Sequence, residues 1–419
     1  MPLCGESFDM DQIAFNELAG WVTEAGLIGR TESELMAGFC RRVIDAGVPL
    51  ARALVILDTL HPIHEGSAFL WRSDRPQTTE VVEYGRTNEG EAAENWRRSV
   101  FFHLLQSGEK MLRRRLVAGD PVEFLSFKQA RDEGLTDYIA LIHRFAAEGV
   151  IGEMDCVYSS WATDAADGFD DADVLVVERL APFLKLAIKS AALARMAGTL
   201  AGTYLGRDPG RRVMQGRITR GVAEKIGAVL WYSDLHGYTH ISDTVAPEQI
   251  IPLLNDYAEV VVSAVHGHGG DVLKLIGDGT LAIFTGDNRE QSCLAALSAA
   301  MRARKGVAKL NARRTEDGLP TSEVYLALHV GDVFYGNVGS KDRLDFTVIG
   351  PAVNEVSRIL ALSRSVERDV LISAHFAEAL DRETRRRLVS VGRYALRGVI
   401  QPQELFTPEP DFELARSIW

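Results

Sequence analysis

Two aspartates stand where strand-like segments of the sequence end. Asp234 follows an apolar strand in AVLWYSDLHGYTHIS and precedes a glycine-containing turn, and Asp278 lies in the turn of GGDVLKLIGDGTLAIF. Taken singly, each acid has a conformational explanation, because Asp caps helices and occupies hairpin turns. Taken together, two carboxylates on one edge of a sheet could bridge two metal ions about 3.5–4 Å apart, an arrangement that supports in-line displacement at phosphorus.

A helix and a strand carry three further polar candidates. Asn354 and Arg358, in DFTVIGPAVNEVSRI, lie at positions i and i+4 of a predicted helix and therefore on one face of it. Lys274 lies in the first strand of the Asp278 hairpin. In isolation the helix pair is typical of a solvated face and the lysine of an exposed strand. Whether these three residues form a functional site therefore depends on the strands and helices that position them.

The C-terminal part alternates clear strand and helix patterns. In the helix predicted at 247–266, Ile250, Leu253, Leu254, Tyr257 and Val261 form one apolar stripe. The predicted order β-α-β-β-α-β is typical of a ferredoxin-like core within an α+β fold. The predicted elements are a strand at 226–233, a helix at 247–266, strands at 271–276 and 279–285, a helix at 288–309, strands at 323–331, 333–337 and 343–349, and a helix at 352–363.

The N-terminal part mixes strands and helices in an α/β or α+β pattern. A capping-box pattern, Thr31-x-x-Glu34, precedes a helix predicted at 30–47, and a second helix is predicted at 92–107. Strands are predicted at about 51–60, 66–72, 79–86, 111–117, 136–142 and 153–162.

A long helix is predicted from Asp170 to about Gly206. Leu186, Leu193 and Leu200 recur every seven residues, which is weak evidence for a parallel coiled coil, because an ordinary amphipathic helix gives the same count. The Gly- and Arg-rich segment that follows, LGRDPGRRVMQGRITRG, predicts a hinge. The domains are therefore predicted at 1–169, 170–214 (helical linker and hinge) and 215–419.

Charge, apolar runs and cysteines limit the possible partners. Acids outnumber Lys plus Arg by 58 to 46, so we expect no long-range attraction of nucleic acid or an anionic membrane, and an anionic substrate must be captured locally. The N-terminus has no signal-peptide pattern, and Lys185, Lys189 and Arg195 interrupt the most apolar stretch, which predicts a cytoplasmic protein without a membrane span. The cysteines are far apart and predict reduced thiols; they are Cys4, Cys40, Cys156 and Cys293.

Four segments together resemble the class III nucleotidyl cyclases. SDLHGYTHIS, LKLIGDGTLAIF, HVGDVFYGNVGS and DFTVIGPAVNEVSRI occur in the order and approximate spacing of that family, over nearly all of 225–410. The resemblance implies a bacterial-type adenylate cyclase that makes 3′,5′-cyclic AMP and diphosphate from ATP. It also implies that Asp234 and Asp278 bind two Mg²⁺ or Mn²⁺ ions, one acting on the ribose 3′-hydroxyl and the other holding the triphosphate.

The same resemblance assigns the substrate contacts. Lys274 matches the position that reads adenine, with Thr347 as its partner, whereas guanine-specific relatives usually have Glu at the first position. A cationic donor bonds N1, and a hydroxyl accepts from the 6-amino group. The loop after the first aspartate matches the amides that bind the terminal phosphates, with the His236 side chain facing solvent. That loop consists of Leu235, His236, Gly237, Tyr238 and Thr239.

Asn354 and Arg358 match the pair that acts on the transition state. The Asn would orient the ribose, and the Arg would balance charge that grows on the α-phosphate. Arg397, in LRGVIQPQELF, matches a basic residue that reaches the triphosphate, although the spacing there is looser. Pro351 stands where many relatives have Asp, and proline is acceptable in the first turn of a helix.

In this family the acids come from one subunit and the base-reading and transition-state residues from the other. The resemblance therefore implies a symmetric homodimer with active sites at its interface. The N-terminal part, with the phrase SSWATDAADGFDDADVLVVERLAP, resembles GAF domains that precede bacterial cyclases. It implies a sensor for an unidentified small molecule or protein signal, or a dimerisation module without a ligand.

Parts of the sequence suggest three alternative functions. A catalytically silent ATP-binding regulator would lack one of the principal residues, and all are present. Gly269-Gly270-Asp271 suggests a diguanylate cyclase, but the triplet precedes the hairpin and is followed by Val272. The pairs His61/His64 and His266/His268 suggest a metal site, but no cluster of acids or cysteines supports them.

Overall fold

The structure is a computed structural model, and it describes residues 12–117, 119–145, 154–399, 401–410 and 412. The chain divides into two compact units, Met1–Leu200 and Ala201–Trp419. This division falls inside the predicted linker. Most of the long helix therefore belongs to the first unit, and the segment predicted as a hinge belongs to the second.

In the first unit, six strands of the described residues form one antiparallel sheet in the order β3-β2-β1-β6-β5-β4. Burial alternates along β1, as expected for a strand whose two faces differ. The strands are β1 (Arg52–Asp58), β2 (Gly66–Arg72), β3 (Thr79–Tyr84), β4 (Met111–Arg115), β5 (Asp137–Arg144) and β6 (Cys156–Thr163).

Helices of the first unit begin where the sequence supplies caps. The predicted capping box is formed, with the Thr31 hydroxyl accepting from the Glu34 amide and the Glu34 carboxylate accepting from the Thr31 amide. The helix predicted at 92–107 is two helices, because Ser99 caps a new helix by accepting from the Phe102 amide. The helices are α1 (Gln12–Leu27), α2 (Glu32–Asp45), α3 (Gly90–Arg97), α4 (Val100–Ser107) and α5 (Leu125–Asp132).

The long helix α6 (Asp171–Leu205) begins at a reciprocal acidic cap. The Asp170 carboxylate accepts from the Asp173 amide at 2.7 Å, and the Asp173 carboxylate accepts from the Asp170 amide at 3.0 Å. A stripe at four-residue spacing packs into the core of the first unit; it comprises Leu180, Leu184, Ile188, Ala192 and Met196. Leu186, from the predicted heptad, lies off this stripe and is exposed.

In the second unit, eight described strands form one sheet. Its main path is β13-β14-β12-β10-β7-β9-β8, and β11 pairs with β10. The segment β10-β7-β9-β8 has the antiparallel order of the predicted ferredoxin-like core. The strands are β7 (Ala223–Leu235), β8 (Asp271–Ile276), β9 (Gly279–Phe284), β10 (Val324–Gly339), β11 (Leu344–Ile349), β12 (Val370–Ser373), β13 (Leu388–Tyr394) and β14 (Gln403–Pro408).

Alternating residues of β7 contact helices on opposite faces of this sheet. Val229 and Trp231 pack with the helices α9 and α10, while Ala228 and Leu230 pack with α11. The helices of the second unit are α7 (Arg207–Met214), α8 (Tyr238–Thr244), α9 (Pro247–Gly267), α10 (Arg289–Glu316), α11 (Pro351–Val366), α12 (Ala374–Ala379) and α13 (Arg382–Arg386).

Two predicted features of the second unit differ in the structure. The predicted hinge contains α7, whose Asp208 is buried and accepts hydrogen bonds from Arg211, Arg212 and the Tyr335 hydroxyl, the last at 2.8 Å. The strands predicted at 323–331 and 333–337 are the single strand β10. A buried carboxylate with three donors explains why the Gly- and Arg-rich segment folds onto the sheet.

Cys40, Cys156 and Cys293 are buried free thiols, while Cys4 lies outside the described residues. Burial raises the pKa of the Cys293 thiol to about 12. In the described part of the chain, no helix combines the length and apolar character needed to cross a membrane.

Candidate active site

The two aspartates lie side by side. Asp234 is the penultimate residue of β7, and Asp278 occupies the two-residue turn between β8 and β9, where Ile276 pairs with Gly279 and Gly277 has a φ of 62°. The Leu235 amide donates to Asp278 Oδ2 at 3.2 Å and so orients the second carboxylate. The hairpin thus brings the two acids together on one edge of the sheet.

The pair is electrostatically unfavourable without a cation. Burial, followed by the hydrogen bond and charge of Asp278, raises the pKa of Asp234 to about 7. The Leu235 amide and the charge of Arg364 act in the opposite direction. Two partly buried carboxylates sharing one site are stabilised by a divalent cation, and carboxylate oxygens are the ligands that Mg²⁺ and Mn²⁺ prefer.

The acids line a cavity of about 200 Å³ beneath α9. Asn255 and Tyr257 of that helix, with Thr280 of β9, contribute further lining. Across the described residues, no cluster of three or more His, Cys, Asp or Glu side chains could hold a metal. The donor set therefore fits a metal ion whose remaining ligands come from water, backbone or a substrate, as Mg²⁺ sites commonly do.

The loop after Asp234 is only partly available to a ligand. The Leu235 amide is bonded to Asp278, and the His236 amide donates to the Glu323 carbonyl at 2.8 Å. Gly237 adopts a φ of 70° and begins the short helix α8, so the amides of Tyr238 and Thr239 lie in a first helical turn, where no intrahelical acceptor exists. Of the five amides predicted to bind phosphate, those of Leu235 and His236 already have acceptors. The amides of Gly237, Tyr238 and Thr239 are the candidates that remain.

The His236 side chain is exposed, as predicted, and its ring lies 4.8 Å from that of Tyr325. His236 follows Leu235, the last residue of β7, which pairs with Val324 of β10.

Lys274 and Thr347 lie on strands that do not pair with each other, β8 and β11. Lys274 of β8 forms an ion pair with Asp345 of β11, which the sequence reasoning missed. Asp345 and Thr347 are separated by one residue on β11 and so share its face, about 7 Å apart along the strand. The alternation of polar and apolar residues in LDFTVI indicates this shared face, because Phe346 and Val348, which alternate with Asp345 and Thr347, are core residues.

Asn354 and Arg358 lie on α11 and line a second cavity of about 560 Å³, together with Pro351 and the loop residues Gly398, Val399 and Gln401. A side chain at Gly398 would come within 3.5 Å of the Arg358 guanidinium, so this loop covers the arginine closely. Among the described residues, Arg358 has no ion-pair partner, which leaves its charge available to an anion.

Arg397 is exposed and immediately precedes Gly398 of that loop. Its neighbour Gly398 lines the cavity of Asn354 and Arg358. Its predicted contact with a triphosphate therefore belongs to the same half of the site as Arg358.

The two halves of the predicted site are separate within one chain. The charge of Arg364, near the C-terminal end of α11, lowers the pKa of Asp234, so this end of the helix lies near the acid pair. Asn354 lies ten residues earlier on the same helix, roughly 15 Å away along its axis. Arg364 was not singled out from the sequence, because its proximity to Asp234 depends on how α11 packs against the sheet.

Comparisons with known proteins identify the C-terminal part. Residues 223–407 match the family described as the adenylate and guanylate cyclase catalytic domain. An uncharacterised protein of Mycobacterium tuberculosis is 34% identical over 214 residues, which cover 50% of this chain and 37% of that protein. An adenylate cyclase of Anabaena cylindrica is 36% identical over 157 residues, covering 36% of this chain and 30% of the relative.

A solved structure of a bacterial light-regulated adenylyl cyclase is 21% identical, with a TM-score of 0.45, and covers 56% of this chain and 64% of that one. The family match shows that the chain contains a class III nucleotidyl cyclase catalytic domain. The chain spans 37% of the length of the mycobacterial relative and 30% of the length of the Anabaena relative.

Proposed function

We propose that this protein is an adenylate cyclase that converts ATP to 3′,5′-cyclic AMP and diphosphate. The observation that carries the proposal is the pair Asp234 and Asp278, held together at a cavity by the hairpin turn and the Leu235 amide. The family match to residues 223–407 supports nucleotide cyclisation as the chemistry of this pair. The preference for ATP rests on Lys274 and Thr347.

Asp234 and Asp278 would hold two Mg²⁺ or Mn²⁺ ions. When bound, these ions acidify the ribose 3′-hydroxyl and neutralise charge on the triphosphate. The chain itself supplies orientation. Gly237, Tyr238 and Thr239 present backbone amides to the terminal phosphates, and Gly237 lets the backbone approach them closely.

Lys274 and Thr347 read the base. The Lys274 ammonium donates to adenine N1, and the Thr347 hydroxyl accepts from the 6-amino group. In the structure Lys274 is paired with Asp345. An incoming purine therefore shares or replaces an existing ion pair, and Asp345 holds the ammonium on the strand face that also carries Thr347.

Asn354 and Arg358 act on the transition state. The ribose 3′-hydroxyl loses its proton to solvent water as its oxygen forms a bond to the α-phosphorus. The bond from that phosphorus to the bridging oxygen breaks, and diphosphate leaves with the bonding electron pair. The Asn354 amide holds the ribose in line, and the Arg358 guanidinium stabilises negative charge on the α-phosphate. The absence of an ion-pair partner for Arg358 among the described residues supports this role.

The active enzyme is proposed to be a homodimer with two sites at its interface. The separation of the acid pair from Asn354 along α11 favours a site built from two chains. Exposed apolar side chains on β8, β10 and β11 support an interface in this part of the sheet; they are Leu275, Ile276, Phe334, Val338 and Ile349. Phe334 and Ile349 are register partners, so part of this apolar surface is continuous.

The first unit is proposed to be a GAF-like sensor, acting in the cytoplasm, that sets the rate through the helix α6. A six-stranded antiparallel sheet covered by helices is compatible with such a module. A signal that changed how two catalytic domains meet would change the geometry of both shared sites at once.

The direct test is product analysis with purified protein. We expect cyclic AMP and equimolar diphosphate from ATP with Mn²⁺ or Mg²⁺, little cyclic GMP from GTP, and no product from an Asp278→Asn variant. Nucleotide binding without a cyclic product would favour the silent ATP-binding regulator. Preferential formation of cyclic GMP would overturn the assignment of Lys274 and Thr347.

A further inference from the structure

A buried histidine lies behind the helix that carries Asn354. His329 of β10 is 3% exposed, and its Nδ1 lies 2.9 Å from the Ser373 hydroxyl. Its Nε2 lies 3.6 Å from Oε2 of Glu355 on α11. The ring of His375 on α12 lies against it, with 5.9 Å between centroids.

The surrounding groups favour one tautomer of the His329 ring. Ser373 caps α12 by accepting from the Phe376 amide at 3.2 Å, so its own hydrogen is available to His329 Nδ1. The neutral ring then carries its proton on Nε2, facing the Glu355 carboxylate. Burial, with the nearby His375, lowers the pKa of His329 to about 4, so the ring is neutral at physiological pH. At 3.6 Å the contact is an attraction between a dipole and a charge rather than a short hydrogen bond.

Glu355 connects this histidine to the candidate active site. It follows Asn354 in the sequence and lines the same cavity as Asn354 and Arg358. The same turn of α11 is also packed tightly onto β10, because a side chain at Gly331 would come within 2.7 Å of the Ala352 methyl group. The first turn of α11 is therefore held by one steric contact and one electrostatic contact from a single strand.

We propose that His329 is a positioning residue, whose Nε2–H fixes Glu355 and thereby the turn of α11 that presents Asn354 and Arg358. This inference rests on the proposed function of these two residues. His329 touches no reacting atom and transfers no proton in this role. It acts through the orientation of a helix turn.

Two amide variants, each reproducing one ring nitrogen, test the proposal. In His329→Asn the amide reproduces only the Nδ1 side of the ring, whereas in His329→Gln an amide nitrogen reaches the Nε2 position. We expect kcat of His329→Asn to fall about 10- to 100-fold, since a small misplacement of catalytic groups has effects of this size. KM for ATP should change less than about threefold, and His329→Gln should retain most of the activity, as expected when only transition-state alignment is lost.

Thermal unfolding of each variant separates positioning from stability. Equal losses in the two variants, or a loss that matches the unfolded fraction, would overturn the proposal. If the wild-type protein made no cyclic nucleotide, the proposed function would fail on its own. The ¹⁵N shifts of the His329 ring would then decide the inference: an Nε2–H tautomer that responds to Glu355→Gln supports it, and an Nδ1–H or doubly protonated ring overturns it.

Discussion

Each unit of this protein contains a close pair of ionisable side chains of the same kind. The second unit has two acids, the first unit has two bases, and the two pairs lose their repulsion in different ways. In the second unit, Asp234 and Asp278 meet at a cavity, where a cation can reach both. In the first unit, the Lys185 ammonium of α6 lies 2.7 Å from His143 Nδ1 of β5 and is 3% exposed. The acid pair can be neutralised by a ligand, whereas the basic pair is relieved by losing a proton.

The surroundings of the basic pair explain its proton loss. Burial lowers the pKa of Lys185 to about 7, and the nearby Cys156 acts weakly in the opposite direction. Burial, then Lys185 and Lys110, lowers the pKa of His143 to about 4. A like-charge pair therefore indicates a binding site only where it is open to a counter-ion.

The largest expected effect is on activity at the acid pair. Asp234→Asn should reduce cyclic AMP formation by at least about 100-fold, because charge stabilisation at the reacting phosphate is lost. Without divalent cations the same variant should unfold at a higher temperature than the wild type, because a neutral amide removes the repulsion with Asp278. Asp332→Asn is the control, at an exposed acid of β10 that pairs with Lys225; it should leave activity unchanged and should not raise the unfolding temperature.

The second effect concerns the pH dependence of stability at Lys185. Its pKa is lowered in the folded state, so between pH 7 and the ordinary lysine pKa the unfolded chain binds the extra proton and stability rises with pH. Between pH 7 and 9 the wild type should gain roughly 2 kcal/mol of unfolding free energy relative to Lys185→Met, because the folded lysine is already half deprotonated at pH 7. Denaturant unfolding at several pH values measures this difference.

Lys189→Met is the control for that experiment, since Lys189 lies one turn further along α6, with its ammonium 3.6 Å from the Phe145 ring centroid. It should leave the pH slope unchanged. Equal slopes in the wild type and Lys185→Met would show that Lys185 keeps its proton in the folded protein.

The third effect distinguishes the two pairs by metal addition. Saturating Mn²⁺ without nucleotide should stabilise the wild type by about 1–3 kcal/mol through mass action. The shift should disappear in Asp278→Asn and persist in Lys185→Met. Thermal unfolding with and without Mn²⁺ measures it, and an unchanged shift in Asp278→Asn would place the ion elsewhere.

The smallest effect is on the acid side of the stability profile. As pH falls from 6.5 toward 4, His143 binds a proton in the unfolded chain but stays neutral in the folded protein. The free energy of unfolding therefore decreases over this range. His143→Asn keeps an acceptor at the Nδ1 position that contacts Lys185, and it should reduce this loss by about 0.5 kcal/mol between pH 6.5 and 5.5, allowing for partial solvent screening. Unfolding curves of both proteins at these two pH values would contradict the prediction if they shifted in parallel.

The sequence predicted those elements whose pattern is local. The apolar run of β7 and the Gly277-Asp278 turn located both aspartates, and the capping box at Thr31 located α2. The short strands β12, β13 and β14 were missed, because four to seven residues carry little periodicity.

Features that depend on tertiary pairing could not be predicted. The ion pair of Lys274 with Asp345 requires β11 to lie near β8, and the helix α7 requires the buried partner Tyr335 of Asp208. His329 reads as one more residue of an apolar strand until α11 and β12 supply Glu355 and Ser373.

In the proposed dimer, one active site takes its acids from one chain and Asn354 and Arg358 from the other. The most direct measurement mixes Asp234→Ala and Asn354→Ala proteins, each inactive alone, after unfolding and joint refolding. With random pairing, half of the dimers are mixed and carry one intact site of two, so about a quarter of wild-type activity should return. Mixed dimers demonstrated by native mass spectrometry, with activity no higher than either variant alone, would contradict the shared site.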